Sequence, residues 1–284
     1  MPEARTSAAM LMWQQIRYQN RLFWRTPVAA FFTLVFPLMF LLLFSVLFGN
    51  EDIEITGRGV YSVAQFYAPA LAVFAAASAT YTNIGVGTAI ARDEGILKRF
   101  RGTPLPASTY IAGLIGSGVW IAFIATVVMM TVGVVVFDVS IEVAKMPAAL
   151  LTFVTGSACF AALGVALAAA SPTGDSAPAI ANATILPLAF VSDVFIAIGD
   201  PPPWLTTVGN IFPLKHFVQA FQDAFHPLTA SPAFRLQHLA VMVVLGVVGA
   251  LLARRFFTWE PRGGGSGRRR GRGGATGGGA SVGE

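Results

Sequence analysis

The segment of residues 28–48, VAAFFTLVFPLMFLLLFSVLF, contains no Asp, Glu, Lys or Arg. A transmembrane helix needs about 20 predominantly apolar residues to cross roughly 30 Å of hydrocarbon, and this segment has that length. Comparable segments follow at residues 66–90, 111–137, 147–170, 177–198 and 236–256. Together they predict an all-α membrane protein with six transmembrane helices.

The composition of the chain excludes soluble enzymes and soluble binding modules. Of its 284 residues, 55% are hydrophobic and only 12% are charged, and the mean hydropathy is +0.67. Soluble domains carry about 25% charged residues, which cover their surfaces. The single cysteine, Cys159, cannot form an internal disulfide and gives no information on the redox compartment.

The basic residues predict the orientation of the spans, because Lys and Arg near span ends stay on the cytoplasmic side. With six spans, 15 of the 19 Lys and Arg residues fall on the side of the two termini. The other four are Arg58, Lys145, Lys215 and Arg235. Both termini are therefore predicted to be cytoplasmic.

The chain divides into three parts. Residues 1–27 form a cytoplasmic segment, residues 28–258 form one membrane domain, and residues 259–284 form a tail rich in Gly and Arg. The tail has no large apolar residue that could nucleate a core, so it is predicted to be disordered. It is either a basic patch for anionic lipid or RNA, or a solvated extension that fixes orientation.

Residues 10–25 show the pattern of an amphipathic helix. At 100° per residue, Arg17, Arg21 and Arg25 fall with Gln14 within an arc of about 80°. The apolar side consists of Leu11, Met12, Ile16, Leu22 and Phe23. This pattern predicts an interfacial helix before the first span, with a simple orientation signal as the alternative.

The connection between the second and third spans, RDEGILKRFRGTPLP at residues 92–106, is the most charged internal segment. Its acids come first and its bases last, which suits the dipole of a short helix that Asp93 and Glu94 would open. Ile96, Leu97 and Phe100 would then be available for docking to a partner. The alternative is an ordinary basic loop.

The fifth predicted span is interrupted by polar residues and proline. Asn182, Pro187, Ser192 and Asp193 suit a helix that is packed inside a bundle or lines a path, and Asp193 is the only acidic residue within any predicted span. Asp193 either faces the dimer interface or an outer vestibule, or is hydrated at the boundary of a shorter span. Residues 199–221 are apolar but broken by proline, which predicts a re-entrant or interfacial helix.

No motif for catalysis or metal binding is found. The phosphate-binding loop GxxxxGK[ST] is absent, so this chain is not expected to bind ATP and Mg²⁺. His216, His226 and His238 are ten and twelve residues apart, with no Cys partner, and are interpreted as interfacial side chains rather than metal ligands. No catalytic residue and no nucleic-acid partner is predicted.

The chain resembles the ABC-2 type permease family, and within it the drug-exporter permeases of the daunorubicin type. The resemblance covers residues 10–258 and is strongest at EGILKRFRGTPLP (94–106) and DSAPAIAN (175–182), followed by PWL (203–205) and FP (212–213). One departure is Ser192-Asp193, where the family usually has Ser-Gly.

The resemblance implies a half-transporter in a bacterial plasma membrane that exports a drug-like, lipid or other amphiphilic substrate. A second permease half, identical or paralogous, and two copies of a cytoplasmic ATPase carrying ATP and Mg²⁺ would complete it. The ATPase would dock on Arg17, Arg21 and Arg25 of the first helix, and on the short segment formed by Glu94, Gly95, Ile96, Leu97, Lys98, Arg99, Phe100, Arg101, Gly102 and Thr103.

Two other functions remain open from the sequence. A polysaccharide or teichoic-acid exporter of the same superfamily would be expected to have aromatic sugar platforms along its pore. An ion-coupled secondary carrier would use Asp193 as its coupling acid, but it would normally show inverted repeats and further intramembrane carboxylates.

Overall fold

The computed structural model describes residues 8–49, 52–55, 59–101, 107–196 and 202–257, and they are mostly helical. The two strands β1 (Asp52–Ile55) and β2 (Gly59–Ser62) form an antiparallel hairpin, in which Ile53 is opposite Tyr61. The helices are α1 (Ala8–Trp24), α2 (Pro27–Ala30), α3 (Phe36–Phe48), α4 (Val63–Ala77), α5 (Asn83–Asp93), α6 (Ile96–Arg101), α7 (Ala107–Phe137), α8 (Met146–Ala170), α9 (Ala177–Val191), α10 (Pro203–Ile211), α11 (Pro213–Phe225) and α12 (Leu236–Phe256).

Five helical runs in the described part of the chain are long and apolar enough to cross a membrane. Short π-helical turns at Phe31–Val35 and Ser78–Thr82 join α2 to α3 and α4 to α5 into single runs. The five runs are Pro27–Phe48, Val63–Asp93, Thr109–Phe137, Val143–Ala170 and Leu236–Phe256. The prediction of an all-α membrane protein is confirmed.

The fifth predicted span is shorter than expected. Helix α9 has 15 residues and ends at Val191, which gives it a length of about 22 Å. Ser192 leaves helical geometry (φ −108°, ψ 22°), and Asp193 has φ +59°, in the left-handed region. The predicted boundary at residue 198 is therefore wrong, and Asp193 lies in a turn beyond the helix rather than within it. The count of six spans is not confirmed.

The second span forms the centre of the bundle. Every residue of α4 is buried, and it packs against α3, α7 and α11. Alanine makes up much of α4, and small side chains allow neighbouring helices to approach closely. Phe66 and Leu71 of α4 join Phe217 and Met242 in one continuous core.

The segment after α9 contains two helices rather than one. Phe212 is extended (φ −100°, ψ 146°) and separates α10 from α11, which starts at Pro213. All residues of α11 except Gln219 are buried, because the helix packs between α4, α8 and α12. This arrangement excludes a surface-lying helix at 213–225. The interpretation of His216 and His226 as interfacial is also wrong, since both side chains are buried.

Candidate functional site

Helix α1 lies along α7. Its buried Gln15 and half-buried Ile16 pack directly on Gly113 and Gly116, where the absence of a side chain permits close contact. The predicted docking residues of α1, Arg17, Arg21 and Arg25, are exposed. The predicted apolar side is only partly enclosed: Phe23 is buried, but Met12 and Leu22 are exposed.

The short helix after the second span begins later than predicted. Asp93 is the last residue of α5, Glu94 and Gly95 form a turn, and α6 starts at Ile96. Gly95 has φ +71°, a conformation that glycine adopts without steric cost. The prediction that Asp93 and Glu94 open this helix is therefore wrong, and Gly95 instead sets the angle between α5 and α6.

One side of α6 is anchored and the other is open. Leu97 is fully buried against Tyr110 and Leu114 of α7, so its predicted role in docking is wrong. Lys98 and Arg99 are exposed, as is Glu94 in the preceding turn, and Ile96 is half-buried. The side chains of Phe100 and Arg101, and all of Gly102 and Thr103, lie outside the described residues, as does the tail of residues 259–284.

Arg92, at the end of α5, is a residue that sequence reasoning missed. Its side chain is 1% exposed. Nη1 donates to the carbonyl oxygen of Ala168 (2.9 Å), and Nη2 donates to those of Ser171 (2.9 Å) and Pro172 (3.4 Å). These carbonyls lie at and beyond the C-terminus of α8, where a positive charge is favourable.

Asp93 extends this contact to the next loop. Its Oδ1 accepts from Arg92 Nε (3.1 Å), and its Oδ2 accepts from the backbone N–H of Gly174 (2.5 Å). Gly174 lies so close to α5 that a Cβ there would stand 2.9 Å from the Cα of Ile90. The last two residues of α5 therefore fix it to the connection between α8 and α9. We call these contacts of Arg92 and Asp93 the Arg92 clamp.

The four residues predicted to line the path or outer gate do not form one site. Asn182 and Pro187 are both exposed, but they point about 140° apart around α9. Ser192 is buried, and its hydroxyl has no hydrogen-bond partner among the described residues. Asp193 accepts a hydrogen bond from Gln219 Nε2 of α11 (3.3 Å). Ser192 and Asp193 are thus held near α11, apart from the exposed pair.

A second buried cation lies at the opposite end of the bundle. Lys145 is 1% exposed, and its Nζ donates to the carbonyl of His226 (2.8 Å) and to Glu142 Oε1 (2.8 Å). The carbonyl of Phe225, at the end of α11, accepts from Gln65. Sequence reasoning treated Lys145 as a residue of an outer loop, and nothing in its local pattern indicates burial.

Helix α11 carries further polar contacts into the bundle. His216 Nε2 lies 2.9 Å from the carbonyl of Asn210, so in the neutral ring Nε2 holds the proton and Nδ1 accepts from His238 Nδ1 (2.7 Å). Asp223 pairs with Arg235 Nε at 2.7 Å. No group of three or more His, Cys, Asp or Glu side chains in the described ranges could hold a metal ion.

Comparison with known proteins identifies relatives over most of the chain. The profile of a family described as "ABC-2 type transporter" matches residues 10–226. The inner membrane transport permease YadH of Escherichia coli K12 is 23% identical over 194 residues, which are 68% of this chain and 75% of that protein. The daunorubicin resistance ABC transporter permease protein DrrB1 of Streptomyces coeruleorubidus is 29% identical over 206 residues, 70% of this chain and 69% of that protein.

Proposed function

We propose that the chain is the permease subunit of an exporter, because it belongs to the ABC-2 type transporter family. Members of this family are membrane subunits of ABC transporters and work with a cytoplasmic ATPase. In this proposal the chain forms the translocation path, performs no catalysis and binds neither ATP nor Mg²⁺.

The complete exporter would contain two permease halves and two copies of the ATPase. It would lie in a bacterial inner membrane with both termini in the cytoplasm, which places α6 and the exposed arginines of α1 beside the ATPase. The distribution of basic residues supports this orientation, because Phe257 packs against the cluster that contains Leu97 and so brings Arg254 and Arg255 to the same end of the bundle as Lys98 and Arg99.

The observation that carries the proposal is the geometry of α6. The helix exposes Lys98 and Arg99, while Leu97 holds it against α7. The residue pair just before it, Arg92 and Asp93, is bonded to the end of α8 and to Gly174. A displacement of α6 by an ATPase would therefore reach α7, the end of α8 and the connection between α8 and α9 through direct contacts.

Charge reversal at Glu94 tests this docking role. Glu94→Lys should reduce substrate-stimulated ATP hydrolysis at least about 10-fold, the equivalent of one lost charge-assisted contact of about 1.4 kcal/mol or more. Asp175→Lys is the matched control, since Asp175 is also an exposed acid at this end of the bundle. If Glu94→Lys leaves both ATPase co-purification and stimulated hydrolysis intact, the α6 segment serves only as an orientation signal.

The proposed substrate is a drug-like, lipid or other amphiphilic molecule. Its support is the likeness to DrrB1, whose name refers to daunorubicin resistance. A screen of cationic, neutral and anionic amphiphiles for stimulation of ATP hydrolysis by the assembled exporter would identify the class. Stimulation by an anionic polysaccharide precursor alone would support the polysaccharide-exporter alternative instead.

A further inference from the structure

A long cleft opens between α9 and α12, with α8 as its floor. Its volume is about 840 Å³, which lies within the usual range for ligand pockets. Among its lining residues are Leu163 and Ala166 of α8, Leu188 of α9, and Leu245 and Leu252 of α12. Leu252 is 44% exposed and Phe256 is 51% exposed, so the cleft is open on one side.

The cleft is lined almost entirely by apolar side chains. Among the described residues, the hydroxyl groups of Tyr81 and Thr184 are the only polar side-chain groups that line it, and they bond to each other at 2.8 Å. The Thr184 hydroxyl also contacts the carbonyl of Ile180 within its own helix. The remaining lining is hydrocarbon, which indicates an apolar occupant.

The length and ends of the cleft fit one leaflet of a bilayer. Leu245 and Phe256 are eleven residues apart on α12, or about 16 Å along the helix axis, and half of a hydrocarbon core is about 15 Å. Phe256 and Ala170 mark the end of the cleft that lies on the same side of the bundle as the Arg92 clamp.

Positive charge lies at that same end. Arg254 and Arg255 are exposed in the last turn of α12, and the Arg255 guanidinium lies 5.8 Å from the centroid of the Phe256 ring. We propose that the cleft binds an acyl chain of an anionic phospholipid, whose phosphate pairs with Arg255, the arginine nearer the cleft side of α12. This binding site does not depend on which substrate the exporter carries.

A second copy of the chain is the competing occupant, and the faces of α9 argue against it. Asn182 is exposed and points about 160° away from Thr184, so it lies on the side of α9 opposite the cleft. A polar side chain within a membrane is stabilised by a neighbouring helix or by water, not by lipid. The Asn182 side is therefore the better surface for a partner subunit, which leaves the cleft to lipid.

Lipid retention by the purified full-length protein tests the proposal. Wild-type protein in detergent, incubated with phosphatidylglycerol, should retain one tightly bound lipid by native mass spectrometry. Ala170→Trp fills the mouth of the cleft at an exposed position and should reduce retention at least about 10-fold, whereas Ala250→Trp, on the far side of α12, should behave as wild type. Equal retention by both variants would overturn the proposal.

The headgroup is tested separately with Arg255→Gln. Because one basic residue near anionic lipid contributes about 1 kcal/mol, the preference of this variant for phosphatidylglycerol over phosphatidylcholine should fall by about 5-fold. Arg254→Gln is the matched control, because Arg254 is also exposed but lies on the same side of α12 as Ala250, away from the cleft. An unchanged preference in Arg255→Gln would show that this arginine does not bind the phosphate.

Photo-crosslinking of the wild-type protein covers the case in which a variant fails to fold. A phosphatidylglycerol with a diazirine at the end of one acyl chain should label Leu245 in preference to the exposed Val154 of α8. Equal labelling of both positions, or crosslinks between two copies of Leu252→Cys without bound lipid, would contradict the proposal. Displacement of the lipid by an exported amphiphile would reassign the cleft to the substrate.

Discussion

A buried cation lies beside the C-terminus of a helix at each end of the helical bundle, but the two cations differ. At each end a helix terminates inside the protein and leaves carbonyl groups without intrahelical partners, which a buried positive charge can satisfy. Arg92 does this for α8 at one end, and Lys145 does it beside α11 at the other. Both side chains are 1% exposed.

The difference lies in what each cation joins. The carboxylate that pairs with Arg92 belongs to Asp93, which also binds Gly174 in the next loop. The carboxylate that pairs with Lys145 belongs to Glu142, three residues away and 46% exposed. The guanidinium of arginine spreads its donors over several acceptors, whereas lysine acts as a point charge. We infer that the Arg92 clamp transmits movement of α6 and that Lys145 anchors α11.

Removal of Arg92 should have the largest effect. Arg92→Met leaves the Ala168 and Ser171 carbonyls and the Asp93 carboxylate without their cation, and loss of one partner of a buried ion pair costs about 3–5 kcal/mol. Substrate-stimulated ATP hydrolysis should be lost together with thermal stability.

Arg92→Lys separates transmission from folding. It keeps the charge but cannot bond all of the acceptors that the guanidinium reaches, so the protein should insert and bind the ATPase while substrate stimulation falls several-fold. The measurement is the ratio of stimulated to basal hydrolysis at matched expression. A ratio equal to that of wild type would reduce Arg92 to a helix cap with no role in coupling.

The comparison predicts a different result for Lys145→Met. The variant loses contacts from Nζ to the His226 carbonyl and to Glu142, and hydrogen bonds to charged groups contribute about 1.5–3 kcal/mol each. Thermal stability should fall, but the ratio of stimulated to basal hydrolysis should stay within about twofold of wild type, because Lys145 is far from α6. A loss of stimulation as large as that in Arg92→Lys would contradict the distinction between the two ends.

The sequence predicted the positions of the spans well, but it did not predict the burial and contacts of Arg92 and Lys145. Apolar length identifies a transmembrane helix without knowledge of its neighbours, so segments such as residues 28–48 were found with nearly correct bounds. The carbonyl partners of Arg92 lie 76 to 80 residues away along the chain, and those of Lys145 at positions 226 and 227 lie 81 and 82 residues away. A local sequence pattern gives no information on contacts at that separation. Both residues were therefore counted only as basic residues near span ends.

A substitution in the turn between α5 and α6, at the same end of the bundle as Arg92, should have a smaller effect on substrate stimulation. Gly95→Ala introduces no steric contact but places a Cβ in left-handed backbone geometry, at a cost of about 1–2 kcal/mol. The angle between the helices should shift, and substrate stimulation should fall by a measurable but incomplete amount. Gly87→Ala is the control, since Gly87 has helical geometry and open space around it, and alanine there should be neutral or slightly stabilising.

The smallest effect is expected at Asp193. Its carboxylate lies beyond the end of α9, is half-buried and accepts a hydrogen bond from Gln219, which agrees with the shorter span that the sequence left open as one of two alternatives. Asp193→Asn keeps a residue that tolerates positive φ, and Asp193→Gly removes the strain of φ +59° along with the side chain. Stability of either variant should stay within about 1 kcal/mol of wild type.

Transport by these two variants decides whether Asp193 selects substrates. Assays at matched expression with paired cationic and neutral amphiphiles should give the same cationic-to-neutral ratio as wild type, because the carboxylate is already held by α11. A selective loss of cationic substrates in both variants would instead place the charge of Asp193 at the exit. Loss in Asp193→Gly alone would point to the hydrogen bond with Gln219 rather than to charge, since asparagine can still accept it.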